Sequence, residues 1–545
     1  MENSAPRPVV WWQVGLLAVL TFACLAPFLN KAVHIDDPLF IWTARQIQAH
    51  PLDFYGFNVN WIAEVWPMSS VTQNPPLASY YMAVVAWLLG WSETALHAGF
   101  LVPALAAIIG VYFLAREFCA HPFLAGLAAL ATPAFLVSST TLMCDTLMLS
   151  AWIWAVFLWM RGLAEPHQGK LLLAALLIAA CALTKYFGLS LIPLLAVHTI
   201  MTRRRDCWPL LWLALPVAVL LAYQAWARHL YGGNLLFNAV SYATAYRVGG
   251  GLLAKFPTGL AFLGGCVLVA PAALLWLWGK RGVMAASGAV AILILLLAAR
   301  KTAAGFSLVD NGRLNWLFLV QWAAFVTGGA MLLILAAADA ARRRDAKATL
   351  LLLWVFGTFF FTCFCNWTVA ARNILPLVPA AAFLLVRRLE AQNSAAAPRL
   401  FYIPLALSLT VGLLVSWADF KLADSARTAA QTVYEHVVWH FKNITFEGHW
   451  GFQYYMEKLG GVAIDKRNMR LAPDTAVIVP TGNSVIFLPP PEHAALWNEF
   501  DITYPLWLCT MSVDDGAGYY SDGWGPAPYI ICRPPKDRYL IYSGK

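Results

Sequence analysis

Charged side chains stand at the ends of long apolar segments in this sequence, where charge is costly and usually serves a function. The acids Asp36 and Asp37 follow the first apolar run, and Asp145 opens a later one. The cations Lys185 and Arg372 occupy similar positions further along. A carboxylate there serves as a general base or a metal ligand, and cations stabilise a leaving phosphate. These residue types together predict group transfer from a lipid phosphate.

Three further residues are candidates for binding that phosphate. Asn74 precedes the pair Pro75-Pro76, and Arg247 and Arg313 lie in predicted outer loops. The chemical interpretation of each candidate competes with a structural one. An Asp before a helix is a common N-cap, and a lysine at a span end is a common interfacial anchor. Both interpretations stay open for each isolated residue.

The composition defines the broad class of protein. Of 545 residues, 60% are hydrophobic and 12% are charged, about half the charged fraction of a soluble domain. The ten cysteines are scattered without metal-ligand spacing. The net charge of +9 comes from short basic clusters between apolar runs, which is unlike a nucleic-acid-binding stripe. A soluble enzyme, a disordered chain, a disulfide scaffold and a nucleic-acid partner are therefore excluded.

The apolar runs predict an all-α polytopic membrane protein with about 13 transmembrane helices, since one span needs about 20 apolar residues. The predicted spans are residues 9–30, 95–115, 122–138, 142–160, 171–183, 188–201, 208–224, 257–279, 282–297, 314–335, 349–366, 373–386 and 400–417.

Basic clusters such as Lys280-Arg281 and Arg387-Arg388 lie between spans on one predicted side. The positive-inside rule then places the N-terminus in the cytoplasm, and an odd number of spans places the C-terminus outside. Residues 77–91 form a further apolar stretch, and a span there would invert every later loop. We therefore predict a juxtamembrane or re-entrant helix within a first outer loop, residues 31–94.

The composition changes after Trp417, where long apolar runs stop and Asp, Asn, Gly and Pro return. We predict a transmembrane domain at 1–417 and an outer C-terminal α/β domain at 418–545. Its predicted elements are helices at 425–441 and 453–459 and strands at 475–479 and 529–532. Cys509 and Cys532 form a disulfide if this domain faces an oxidising compartment.

The order of the short motifs resembles the GT-C glycosyltransferases, in particular the bacterial branch related to protein O-mannosyltransferases and lipid A aminoarabinose transferases. An acidic pair follows span one, then come Pro75-Pro76-Leu77, Asp145 and Leu183-Thr184-Lys185. Arg372-Asn373-Ile374-Leu375-Pro376 is similar to the family's Arg-aromatic-Leu-Leu-Pro stretch. The resemblance covers about residues 10–390 and implies a GT-C-like fold.

The resemblance also implies the roles of individual residues. Asp36 takes the place of the family's proposed catalytic base, and Asp37 replaces the usual Glu. Asn74 stands where relatives often have His or Lys, and Asn373 replaces an aromatic residue. Lys185 and Arg372 are then the candidates for binding the phosphate, with Arg247 and Arg313 as further ones.

The implied reaction is transfer of a sugar, with inversion, from a polyprenyl-phosphate donor to a hydroxyl of a glycan, lipid or protein. The implied location is the periplasmic face of a bacterial inner membrane, in contact with membrane lipids. Asp36, Asp37 and Asp145 also offer oxygen ligands for Mg²⁺ or Mn²⁺. Some GT-C relatives use a metal and others do not, so a divalent metal stays open, and the prediction is that none is required.

Two other functions compete with this interpretation. A secondary transporter or lipid flippase has a similar number of spans, but the sequence has no inverted repeat, and its acids cluster in one outer loop. A non-catalytic assembly partner that uses residues 418–545 for binding is the second alternative.

Overall fold

The computed structural model describes residues 8–203, 206–248, 251–310, 312–392, 397–468, 471–503, 507–532 and 536–545. Its α-helices within these ranges are α1 (Trp11–Leu25), α2 (Asp37–Ala49), α3 (Met68–Val71), α4 (Leu77–Leu89), α5 (Glu93–Ala115), α6 (Pro122–Leu130), α7 (Pro133–Ser138), α8 (Asp145–Ala164), α9 (Gln168–Thr184), α10 (Leu191–Thr202), α11 (Ala214–Tyr231), α12 (Leu235–Ala245), α13 (Leu252–Cys266), α14 (Val269–Leu277), α15 (Gly279–Arg300), α16 (Trp316–Arg343), α17 (Ala346–Phe360), α18 (Ala371–Ile374), α19 (Val378–Glu390), α20 (Ala397–Leu400), α21 (Tyr402–Val437) and α22 (Trp450–Leu459).

Short strands pair in the loops, and longer ones form a sheet near the C-terminus. The strands are β1 (Asn58–Asn60), β2 (Val65–Pro67), β3 (Thr302–Ala303), β4 (Phe306–Ser307), β5 (Val309–Asp310), β6 (Arg313–Leu314), β7 (Asn443–Phe446), β8 (Val462–Ala463), β9 (Thr475–Pro480), β10 (Ala494–Thr503), β11 (Leu508–Cys509), β12 (Met511–Ser512), β13 (Ala517–Gly518), β14 (Ile530–Ile531) and β15 (Lys536–Gly544).

The predicted class, an all-α polytopic membrane protein with a C-terminal α/β part, is confirmed. Within the described ranges, eight helices are long and apolar enough to cross a membrane. A ninth span is added if α13 and α14, which meet at 84°, count as one. The predicted count of 13 is therefore not confirmed.

The described helices give fewer spans than predicted because several predicted spans are interrupted or short. The predicted span 122–138 is two helices, because Thr132 has extended backbone and Pro133 starts a new helix. The predicted spans 171–183 and 188–201 are separated at Lys185, which also has extended backbone. The apolar helices on its two sides, Gln168–Thr184 and Tyr186–Thr202, belong to the shorter class of 10–17 residues.

The ambiguous segment 77–91 forms α4, which has 13 residues. At 1.5 Å per residue such a helix is about 20 Å long, shorter than the roughly 30 Å hydrocarbon core. Gly90 ends it with a positive φ of 91°. By length alone α4 does not cross a bilayer.

The C-terminal sheet has five strands in the order β10-β15-β9-β7-β8. β7 runs parallel to β8 and β9, whereas β15 is antiparallel to β9 and β10. α22 connects β7 to β8, as parallel neighbours require. All six residues of β9 are buried, so the centre of this sheet is the core of the α/β part.

This α/β part is closely joined to the helical part. α21 is one continuous helix of 36 residues and passes through the predicted boundary at Trp417. Tyr519 and Tyr529, from the segment 507–532, are buried in the same apolar cluster as the transmembrane helices. Cys509 and Cys532 form a disulfide in this segment. The division into domains at 417/418 stays a prediction.

Candidate active site

The candidate residues lie where helices begin or break. Asp36 is the residue before α2, and Asp145 is the first residue of α8. Lys185 has extended backbone directly after α9. Arg372 is in the four-residue α18, which follows extended Ala370. At such breaks the backbone N–H and C=O groups have no partner within a helix, so they are available for other contacts.

Asp36 contacts Arg372 across 336 residues of sequence. The Arg372 Nη1 donates to Asp36 Oδ2 at 2.9 Å and to the sulfur of Met143 at 3.1 Å. The side chains of Arg372 and Asp36 are 15% and 26% exposed, respectively. This ion pair is therefore accessible from solvent.

Lys185 contacts Asp145 in a second ion pair beside the first. The Lys185 Nζ donates to Asp145 Oδ1 at 2.7 Å and to Asn373 Oδ1 at 3.1 Å. Because Asn373 follows Arg372 in the chain, the two pairs are neighbours. We call Asp36–Arg372 and Asp145–Lys185 the site pairs. Four residues singled out in the sequence thus lie together.

Asp37 points away from the site pairs and is 0% exposed. Its carboxylate accepts hydrogen bonds from the backbone amides of His34, at 3.0 Å, and Leu142, at 2.9 Å. Burial raises the pKa of Asp37 to about 7, although Lys31 and both amides lower it. These contacts hold the loop before α2 against the loop before α8, so Asp37 orients Asp36 and Asp145.

The remaining predicted residues have other partners. The Asn74 backbone carbonyl accepts from the Tyr55 hydroxyl at 2.7 Å. Arg247 is exposed and donates to the Phe364 carbonyl at 3.0 Å. Arg313 is exposed in the short hairpin of β5 and β6. The described contacts therefore place Arg247 and Arg313 outside the site pairs.

Tyr242 of α12 was not identified from the sequence. Burial and then the Asp36 carboxylate raise the pKa of Tyr242, and Arg372 opposes them. The Tyr242 ring lies 5.7 Å from that of Trp367, between their centroids. Its phenol therefore lies beside the first site pair. A tyrosine in a predicted loop carries no sequence signal that separates it from 18 others.

Asp522, in the C-terminal part, holds the segment that carries Arg372. Its carboxylate accepts from Lys255 Nζ at 2.7 and 2.9 Å, from Thr368 Oγ1 at 2.8 Å and from the Val369 amide at 2.9 Å. Thr368 lies four residues before Arg372. The C-terminal part therefore positions the candidate site as well as covering it.

A second buried ion pair ties the first loop to α21. Lys31 donates to Asp419 Oδ2 at 2.5 Å, and both side chains are 0% exposed. Tyr520 and Thr510 also donate to the Asp419 carboxylate, at 2.7 and 3.2 Å. We call Lys31–Asp419 and Lys255–Asp522 the anchoring pairs. A sequence signal existed for Lys31, Lys255 and Asp419, because charges next to apolar runs are costly unless paired.

α4, α8 and α9 enclose a cavity of about 660 Å³, which we call the lateral groove. Its lining is mainly apolar and includes Leu147 of α8 and Thr184 of α9. Leu147 is two residues from Asp145, and Thr184 is next to Lys185. The lining of the lateral groove therefore comes close, along the chain, to both residues of the second site pair.

The three carboxylates that were candidates for binding a divalent metal each contact another group of the protein. Asp36 and Asp145 each face a cation, and Asp37 faces backbone amides. Among the described residues, the group of potential ligands that lies close together is Cys509, Asp515 and Cys532. These two cysteines form the disulfide, so their sulfurs are not thiolate ligands.

Comparison with known proteins agrees with the motifs. Residues 73–227 match the family model described as dolichyl-phosphate-mannose-protein mannosyltransferase. This segment is less than half of the chain and includes Asn74, Asp145 and Lys185. The predicted resemblance to GT-C membrane glycosyltransferases is confirmed. No curated protein matches the chain.

Three solved structures give further likenesses. ArnT from Cupriavidus metallidurans, solved with undecaprenyl phosphate, is 16% identical, with 87% of this chain and 93% of that chain covered and a TM-score of 0.46. The Archaeoglobus fulgidus oligosaccharyltransferase is 15% identical, with 84% and 64% covered and a TM-score of 0.46. EmbB from Mycobacterium smegmatis is 14% identical, with 91% and 46% covered and a TM-score of 0.36. Since each TM-score is below 0.5, these likenesses support no conclusion about fold or activity.

Proposed function

We propose that this membrane protein transfers a sugar from a polyprenyl-phosphate donor to an acceptor hydroxyl at the periplasmic face of a bacterial inner membrane. The observation that carries the proposal is the adjacency of the two site pairs, together with a lateral groove lined by Thr184, the neighbour of Lys185 in the chain. It combines a reachable carboxylate, two cations and an apolar channel. The matched family model, whose name includes a dolichyl-phosphate sugar, supports the same donor chemistry.

The donor's prenyl chain lies in the lateral groove, because hydrocarbon favours apolar surroundings over water. Lys185, the neighbour of the groove residue Thr184 in the chain, is the proposed first contact of the phosphate. Arg372 is the second cation within reach of the phosphate. Its guanidinium presents five N–H donors, so it can contact both Asp36 and a phosphate oxygen.

In the proposed reaction Asp36 accepts the proton of the acceptor hydroxyl, and the acceptor oxygen forms a bond to the anomeric carbon. The bond from that carbon to the phosphate oxygen breaks, and the electron pair leaves with the polyprenyl phosphate. Lys185 and Arg372 stabilise the charge that develops there. A single displacement places the nucleophile opposite the leaving group, so the configuration inverts.

Asp36 is assigned as the base because it is the more exposed of the two adjacent acids. In the absence of donor Arg372 is paired with Asp36. An arriving phosphate competes for Arg372 and leaves the carboxylate able to take a proton. Because Lys185 and Arg372 supply positive charge, we propose that no divalent metal is required, and transfer then persists after complete chelation.

Replacing Asp36 with Asn tests the base. The change keeps the shape and removes the proton acceptor, so we expect transfer to fall by about 10²–10⁴-fold, the usual contribution of a general base. Envelope glycans from cells that carry the wild type, the variant or neither chain are compared by mass spectrometry. Purified variant protein should elute from a sizing column like the wild type.

Asp501→Asn is the matched control, since Asp501 lies on β10 and is 38% exposed in a pair with Arg538. This variant should transfer normally. Full transfer by Asp36→Asn would exclude Asp36 as the base. Identical envelope glycans with and without the wild-type chain would reject the glycosyltransferase itself.

A further inference from the structure

A second cavity, of about 460 Å³, lies between the first loop and the C-terminal part, and we call it the outer cleft. The loop before α2, α21, the start of α22 and turns of the C-terminal part form its walls. Its volume is typical of sites for small ligands, which measure about 300–1,000 Å³. The reaction described above gives it no role.

Two tryptophans form one wall of the outer cleft. The indole centroids of Trp450 and Trp524 are 5.6 Å apart, and both side chains are half-buried. Trp450 has a φ of +64°, a conformation that bulky residues rarely adopt. A Cβ on the next residue, Gly451, would lie 2.1 Å from the Val33 carbonyl oxygen. Tight packing thus holds Trp450 in this strained position, as is common at binding sites.

The polar lining of the outer cleft is acidic. Asp514 and Asp537 contribute carboxylates, and no Lys or Arg lines the cleft within the described ranges. His34 also lines the cleft and is 6% exposed. Its Nε2 has no hydrogen-bond partner and lies 3.8 Å from Asp419 Oδ1, too far for a hydrogen bond. This atom is buried and faces the Asp419 carboxylate, so it is not a contact for a ligand in the cleft.

We propose that the outer cleft binds the acceptor as a saccharide that is neutral or carries an amino group. Indole rings pack on the apolar C–H faces of sugars, and the carboxylates accept hydrogen bonds from hydroxyl or amino groups. An anionic sugar would meet like charges without a compensating Lys or Arg. The inference rests on the proposed function, since it identifies the cleft's ligand as the acceptor.

The position of the outer cleft suits an acceptor site. Ile35 lines the cleft, and Asp36 is the next residue, with its Cα about 3.8 Å further along the chain. Trp524 follows Asp522 by two residues, and Asp522 holds the segment that precedes Arg372. A saccharide in the cleft is therefore next to the proposed base. The cleft shares no lining residue with the lateral groove.

Saccharide binding is measured by saturation-transfer NMR on the full chain in lipid nanodiscs. The probes are a glucosamine disaccharide, its N-acetylated form and digalacturonic acid. We expect the first two to bind and digalacturonic acid to bind more weakly. Trp450→Ala and Trp524→Ala should each lower the affinity about tenfold, the effect of losing one aromatic face. Trp439→Ala is the matched control, because Trp439 is 87% exposed and outside the cleft.

A further variant keeps the test independent of folding. Asp514 is exposed in a turn, so Asp514→Asn should fold normally and reduce the preference for glucosamine over digalacturonic acid. Absence of binding by all probes, tighter binding of digalacturonic acid, or unchanged affinity in both tryptophan variants would overturn the inference.

The experiment separates the two proposals. Asp36→Asn should lower transfer by about 10²–10⁴-fold and leave saccharide binding intact, since Asp36 does not line the cleft. A wild type that binds the saccharides through the two tryptophans but transfers no sugar would reject the proposed function alone.

Discussion

The site pairs and the anchoring pairs have the same chemistry but differ in their access to water. The side chains of the anchoring pairs are between 0% and 2% exposed, whereas three of the four in the site pairs are 15–26% exposed. The anchoring carboxylates also accept additional hydrogen bonds from hydroxyl or backbone groups. Fully satisfied pairs hold the fold in place, and accessible pairs are free to exchange a partner for a ligand.

This difference follows from the cost of burying charge. A buried pair gains little net stability, but removing one partner leaves an uncompensated charge and is strongly destabilising. An accessible pair exchanges a carboxylate for water or phosphate at low cost. Mutations should therefore affect stability at the anchoring pairs and activity at the site pairs.

The largest expected effect on stability comes from Lys31→Met. The change leaves the Asp419 carboxylate buried without its cation, so the free energy of unfolding should fall by about 3–5 kcal/mol. Thermal unfolding in detergent measures the loss. Lys458→Met is the matched control, because Lys458 is exposed on α22. An unchanged melting temperature for Lys31→Met would remove the distinction between the two kinds of pair.

Lys185→Met should affect activity more than stability. Loss of a charge-assisted hydrogen bond to phosphate costs about 1.5–3 kcal/mol, which raises KM for the donor about 10–100-fold. The free energy of unfolding should fall less than in Lys31→Met, because water reaches this pair. Donor titration of the purified variant checks the first expectation. A melting temperature as low as that of Lys31→Met, with a normal KM, would assign Lys185 to the fold.

A smaller effect is expected at Glu447, a buried carboxylate whose pKa burial raises to about 7 from 4.5. The folded chain binds this proton more tightly than the unfolded chain. Stability from Glu447 is therefore complete below pH 4.5 and is lost as the pH rises toward 7. The loss is about 1–3 kcal/mol.

Glu447→Gln removes this titration, so the variant's melting temperature should change less than that of the wild type between pH 5 and pH 8, a window set by the pKa shift. Glu499→Gln is the control, since Glu499 is 57% exposed. Parallel pH profiles for the wild type and Glu447→Gln would show that Glu447 does not titrate in this range.

Sequence reasoning identified the four residues of the site pairs. It did not predict which acid pairs with which cation. Asp145 and Lys185 were recognisable because isolated charges near apolar runs are rare. Tyr242 and Asp522 were missed, since a tyrosine or an acid in a polar segment looks like any other. The helix break at Thr132 was also missed, because a sliding count of apolar residues does not detect a change in backbone angle.

The sequence by itself determined that the chain is a polytopic membrane protein, since its long apolar runs are favourable only in the hydrocarbon core of a membrane. It also determined which charges lie at the edge of that environment. Tertiary structure alone decided that Arg372 meets Asp36, that Asp37 faces backbone amides, and that the C-terminal part holds the site. These contacts join residues hundreds of positions apart, and their geometry depends on how helices pack around breaks that no local pattern encodes.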